Sequence, residues 1–111
     1  FKRMFNIVNA FLKKNPGYTF SFNPEALVID EEKKLYRFFK EKEDNIKEYI
    51  VQNKYKYLFL LLIEGKEAID TYFDKVMVMD NDPVVRDTRL GMLQSILTLF
   101  TAFIDFSQIQ E

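Results

Sequence analysis

The chain has 111 residues, 48% of them hydrophobic and 16% aromatic, with a formal net charge of −1. Length and composition suit a single domain with one apolar core, and they argue against a disordered chain. Cysteine and histidine are both absent. That excludes disulfides, catalysis through thiolate or imidazole, and zinc held by those ligands, and it makes a reducing, cytoplasmic compartment the expectation.

Charge is unevenly spread. Residues 1–57 carry 12 Lys/Arg against 8 Asp/Glu, while residues 58–111 carry 4 against 9. No acid precedes Glu25, only Lys2, Arg3, Lys13 and Lys14. Such asymmetry predicts one face for an anion and another for a larger parent protein. The chain opens on Phe1 without an initiator methionine, so a piece of something longer is expected. Its longest strongly apolar run, Tyr57 to Ile63, is far short of the roughly 20 residues that span a bilayer.

Residues 1–14 predict an amphipathic helix with Phe1, Met4, Phe5, Val8, Phe11 and Leu12 as its apolar stripe. Lys2, Asn6, Asn9 and Lys13 lie opposite, with Arg3 beside them. This face holds cations and amides without a carboxylate. It is either an ordinary solvated face or a set of donors for phosphate oxygens. Asn15-Pro16-Gly17 breaks the helix. Tyr18, Phe20 and Phe22 then alternate in a short extended piece or a loop pinned to the core.

Asn23-Pro24-Glu25 suggests a helical turn, and Asp30-Glu31-Glu32 a firmer start, with acids at the positive end of a helix dipole. From residue 31 to 52 the apolar positions are Leu35, Phe38, Phe39, Ile46, Tyr49 and Ile50. Lys33, Arg37, Lys40, Asp44 and Lys47 face the other way, and Glu43 is spaced to pair with Lys47. Lys42 falls within the apolar stripe, so either it snorkels outward or the helix is irregular there. A turn is expected at Gln52-Asn53. Residues 55–64 are apolar nearly all round, as a central helix would be, and Gly65 is expected to end that helix before another at 66–78.

In that next helix Ile69, Tyr72, Phe73 and Val76 share a face. Asp80-Asn81-Asp82-Pro83 stops it and starts the last one, with Asp82 capping and Pro83 at the first position, where no amide donor is required. Residues 83–106 then carry Val85, Leu90, Leu93, Ile96, Leu97, Phe100, Phe103 and Ile104 on one face. Thr88, Gly91, Ser95, Thr98 and Ala102 form a stripe of small residues on another, either a docking face or a solvent face. The whole reads as all-α, a single-domain bundle of four to five helices, with Phe5, Phe39, Leu62, Phe73, Leu93 and Phe100 in its core.

The chemistry available is limited. Gly17, Gly65 and Gly91 stand alone, so no Gly-rich phosphate loop exists. Asp80-Asn81-Asp82 fails as a calcium loop, because Val85 stands where a glycine is needed. No catalytic residue is expected. Arg86 and Arg89 are more informative, since both project toward the side of Leu93, Leu97 and Phe100, and a cation there needs a partner. Arg89 is read either as a fixed ion pair with Asp74 or Asp82 or as a ligand contact, with Arg86 exposed beyond the core.

The run Tyr72-Phe-Asp-Lys-Val-Met-Val-Met79, followed by Asp82 and Arg86-Asp-Thr-Arg-Leu90, resembles the helical anticodon-binding module of the DALR group, in the form used by bacterial glycyl-tRNA synthetase beta subunits. The opening Phe1-Lys-Arg-Met-Phe-Asn-Ile7 and the ending Ile104-Asp-Phe-Ser-Gln-Ile-Gln110 resemble the same module. Thr88 stands where the family pattern more often has Asn. The resemblance implies an anticodon-binding fold in a glycine–tRNA ligase, with tRNA(Gly), the rest of the beta subunit and the alpha subunit as partners. ATP and Mg would serve the intact enzyme, whose chemistry resides on the alpha subunit, and this piece would hold no cofactor. Lys2, Arg3, Asn6, Lys13, Arg86 and Arg89 become the tRNA-binding candidates. Two other readings stand beside it: the related module of arginyl-tRNA synthetase, and a helical protein–protein docking domain that never touches RNA.

Overall fold

The computed structural model describes residues 2–100. Among them are four α-helices and no strand: α1 (Lys2–Lys14), α2 (Asp30–Val51), α3 (Tyr55–Lys75) and α4 (Pro83–Phe100), with a short 3-10 turn at Pro24–Ala26. The all-α expectation holds. Phe1, Ala102, Phe103, Ile104 and the 101–106 end of the last predicted helix lie outside the described residues. The chain forms two compact units, one made of residues 28–77 and the other of the described residues before and after them.

In the unit of residues 28–77, α2 packs against α3. Helix α2 starts where the acids predict. Glu32 reaches back so that its Oε2 accepts from the amides of Val28 (3.0 Å) and Ile29 (3.1 Å), and this carboxylate is fully buried. It satisfies donors that a helix start otherwise leaves open. Leu35, Phe39 and Ile46 are buried, and Lys33, Arg37, Lys40, Asp44 and Lys47 are exposed. Glu43 pairs with both Lys40 and Lys47 at 3.4 Å, and Lys42 rides over the Phe38 ring at 5.3 Å. The turn to α3 passes through Asn53, whose φ of 56° is left-handed, a conformation Asn tolerates better than most. Across that turn the rings of Tyr49 and Tyr57 stack at 5.7 Å.

Two expectations fail in α3. Gly65 does not end a helix; it lies within α3, and a Cβ there would sit 3.0 Å from both Phe38 Cε1 and Phe39 Cζ. The glycine is a seat for two aromatic rings of α2, so helices expected at 55–64 and 66–78 are one. Nor is the start of α3 central. Leu58 and Leu61 are buried, but Tyr57, Phe59, Leu60 and Ile63 are at least half exposed. The helix also ends earlier than expected, at Lys75. Val76, just past the helix, takes extended backbone, and beyond Lys75 the burial no longer follows a helical period: Val76 and Val78 are buried while Met77 and Met79 are exposed.

In the other unit, α1 packs against α4. Met4, Val8 and Phe11 are buried, and Phe5 and Leu12 are half-buried. Asn15-Pro16-Gly17 turns the chain out of α1, and Gly17 takes a φ of 76°. Phe20 and Phe22 then cross α4 at Gly91, where a Cβ would meet Phe22 Cβ at 2.9 Å and Phe20 Cβ at 3.2 Å. The small-residue stripe is therefore covered at Thr88 and Gly91 within this chain, leaving Ser95 and Thr98 exposed. Of the six expected core residues, Phe39, Phe73, Leu93 and Phe100 are buried, and Phe5 and Leu62 half-buried.

Candidate nucleic-acid interface

Helix α1 presents the expected cationic face. Arg3, Asn6 and Lys13 are exposed, and Lys2 is half-buried with its Nζ 5.3 Å from the centre of the Phe5 ring. The acid-free sequence before Glu25 leaves this face without a carboxylate of its own. By contrast, a cleft of about 280 Å³ between α2 and α3 is lined by Glu31, Lys34, Glu64, Glu67, Ala68 and Thr71. Three carboxylates around one lysine make a poor seat for phosphate.

The start of α4 is built as the sequence predicts. Asp82 Oδ1 accepts from the Val84 amide at 2.9 Å, and Pro83 holds the first helical position. Asp80 Oδ1 in turn accepts from the Asp82 amide at 2.8 Å. This places Asp80, rather than Asp74 or Asp82, beside Arg89, with Nη1 to Oδ2 at 3.5 Å. Asp82 is occupied as a cap, which is why the brace falls to Asp80. Arg89 is buried, so of its two readings the geometry carries the fixed ion pair.

Arg86 is not exposed beyond the core. Its guanidinium carbon lies 5.0 Å from the centre of the Phe11 ring, and Nη2 lies 3.7 Å from Asp87 Oδ1. About a quarter of the side chain stays accessible (26%). Asp87 takes a short hydrogen bond from the Tyr18 hydroxyl, 2.6 Å to Oδ2. That bond, followed by burial and by the charge of Asp87, raises the Tyr18 pKa above the usual tyrosine value, with Arg86 opposing. The Tyr18 ring packs edge-on against Phe11 at 5.1 Å. Arg86 Nε, Asp87 Oδ1 and Thr88 Oγ1 are buried without a hydrogen-bond partner. Three such atoms on consecutive residues are uncommon in a folded protein.

The predicted residues thus fall into three places. Lys2, Asn6 and Lys13 share one face of α1, with Arg3 beside them. Arg86 meets α1 on its buried side, at Phe11, and Arg89 is tied to Asp80. Sequence reasoning missed Tyr18 and Asp87 as partners of Arg86. Their pairing spans most of the chain and has no local periodicity to betray it. Among the described residues there is no group of three or more acidic side chains placed to hold a metal ion, and no helix long and apolar enough to cross a membrane.

Comparison with known proteins gives a match to the DALR anticodon binding domain family over residues 1–109. The chain is 39% identical over 90 residues to a protein of Hahella chejuensis named glycine–tRNA ligase beta subunit, covering 81% of this chain and 13% of that one. A Myxococcus xanthus protein of the same name is 34% identical over 110 residues, covering 99% of this chain and 15% of the relative. The Persephonella marina counterpart is 38% identical over 88 residues, 79% of this chain and 12% of the other. The chain therefore spans only a small part of the curated relatives it matches. No solved structure is a significant match.

Proposed function

The chain belongs to the DALR anticodon-binding domain family, and from that premise we propose that it is the anticodon-binding domain of a glycine–tRNA ligase beta subunit. On this reading it binds tRNA(Gly) and positions it for ATP-dependent aminoacylation on the alpha subunit. The observation that carries the reading is the family match over residues 1–109. The names of the relatives supply the amino acid and the subunit.

The physical chemistry supports it. Anticodon loops offer unstacked bases and closely spaced phosphates, which cations, amides and aromatic rings bind. Lys2, Arg3, Asn6 and Lys13 on α1, with Arg86 at the start of α4, are the groups assigned to tRNA. Arg89 acts through the fold rather than on RNA. This chain supplies no reacting group; ATP and Mg belong to the intact cytoplasmic enzyme, and its other partners are the rest of the beta subunit and the alpha subunit. Crosslinking the intact enzyme to tRNA(Gly) and mapping the contacted peptides tests the assignment. Crosslinks from residues 2–13 and 86 to the anticodon arm are expected. Crosslinks confined to other segments of the enzyme would reject it in favour of a protein–protein docking domain.

A further inference from the structure

Phe11, Tyr18, Arg86 and Asp87 come from α1, the loop after it and α4, and they meet within one unit. The bonds among them are ranked by distance. Asp87 holds the Tyr18 hydroxyl at 2.6 Å, whereas its contact with Arg86 is 3.7 Å. The latter exceeds the roughly 2.7–2.9 Å of a charge-assisted hydrogen bond. Asp87 is thus anchored by Tyr18 and steers Arg86 without saturating its donors. Phe11 supports the guanidinium from another direction and takes no donor either.

We propose that Tyr18 and Asp87 are positioning residues for Arg86, holding its guanidinium against Phe11 so that its accessible part meets a phosphate of the bound RNA. The inference rests on the tRNA-binding reading above. A long cation ordered before binding loses less freedom on meeting its ligand than one ordered at that moment. The sequence of events is direct: the Gly17 turn returns the chain toward α1, Tyr18 docks on Phe11, and its hydroxyl fixes Asp87. About a quarter of the Arg86 side chain stays accessible (26%), and that part is what a ligand can reach.

The test is a thermodynamic cycle on tRNA(Gly) affinity at fixed low salt, using this chain, Tyr18→Phe, Arg86→Ala and the double variant, with Asp87→Asn as a second positioning variant. Tyr18→Phe keeps the ring on Phe11 and removes only the hydroxyl. It is expected to weaken binding by about three- to tenfold alone, yet by less than about twofold in the Arg86→Ala background. Asp87→Asn should show the same dependence on Arg86, and helical circular dichroism should match the parent for each variant. Equal losses from Tyr18→Phe with and without Arg86 would overturn the proposal, as would unchanged binding by Arg86→Ala. Should the parent chain fail to bind tRNA at low salt, the binding reading falls and this proposal with it. A parent that binds but shows an additive cycle removes the positioning role alone.

Discussion

Arg89 and Asp80 form an ion pair across the turn into α4, Nη1 to Oδ2 at 3.5 Å, with the arginine side chain 6% exposed and the aspartate 37%. The asymmetry sets what the pair is worth. Breaking a fully buried pair leaves a stranded charge and costs about 3–5 kcal/mol, while an exposed pair contributes about 0–1. Asp80, left without this cation, would still be reached by water. Arg89→Ala should therefore cost about 2–3 kcal/mol, much of it lost packing, and Arg89→Met clearly less. Urea denaturation of both variants measures this.

Gly91 offers a prediction of sign. Alanine in a helix interior ordinarily gains about 1 kcal/mol over glycine. At Gly91 the new Cβ would meet Phe22 Cβ at 2.9 Å and Phe20 Cβ at 3.2 Å, atoms fixed to the backbone rather than flexible ends. Overpacking of this kind costs about 1–3 kcal/mol. Gly91→Ala should be destabilising by thermal melting, whereas an exposed helical glycine would show the opposite sign.

The Tyr18–Asp87 bond predicts a dependence on alkaline pH. The folded-state pKa of Tyr18 is raised, first by the hydrogen bond to Asp87. A group raised in this way contributes stability that is complete below its unfolded pKa, about 10 for tyrosine, and lost as pH rises through the folded value. The stability difference between the parent and Tyr18→Phe should be constant from neutral pH to about 10 and shrink above it. Urea midpoints across that range decide the point, the other tyrosines being common to both proteins.

Local signals were legible wherever one residue type does one job. The helix period, the Asp82-Pro83 start, the acids that open α2 and the placing of Lys42 within an apolar stripe all follow from neighbours within a turn. What escaped the sequence were relationships between distant segments. Gly65 reads as a breaker until two phenylalanine rings from α2 are seen against it. Val76 continues a helical period by identity, yet the helix stops at Lys75 and Val76 already takes extended backbone. Asp80 looked like a turn residue because its Arg89 partner is chosen by tertiary geometry. The candidate site was half visible: its cations could be named, but not Tyr18 and Asp87.

The α1 face makes a quantitative prediction. Removing one cation that meets a phosphate should lower the slope of log affinity against log salt by about 0.7–0.9. A Lys2→Ala, Arg3→Ala, Lys13→Ala triple variant should bind tRNA(Gly) more weakly at low salt and show a slope smaller by about two units. Titrations at several salt concentrations measure both, and an unchanged slope would mark a face that is merely solvated.

On the proposed reading this chain recognises the anticodon arm of its tRNA. The most direct measurement is the affinity of the chain for tRNA(Gly) compared with the same tRNA carrying substituted anticodon bases, at one fixed salt concentration. Abolishing one base-specific interaction costs about 1–3 kcal/mol, so the substituted tRNA should bind roughly fivefold or more weakly. Equal affinity for the two, or no binding to either at low salt, would rule out anticodon recognition by this chain.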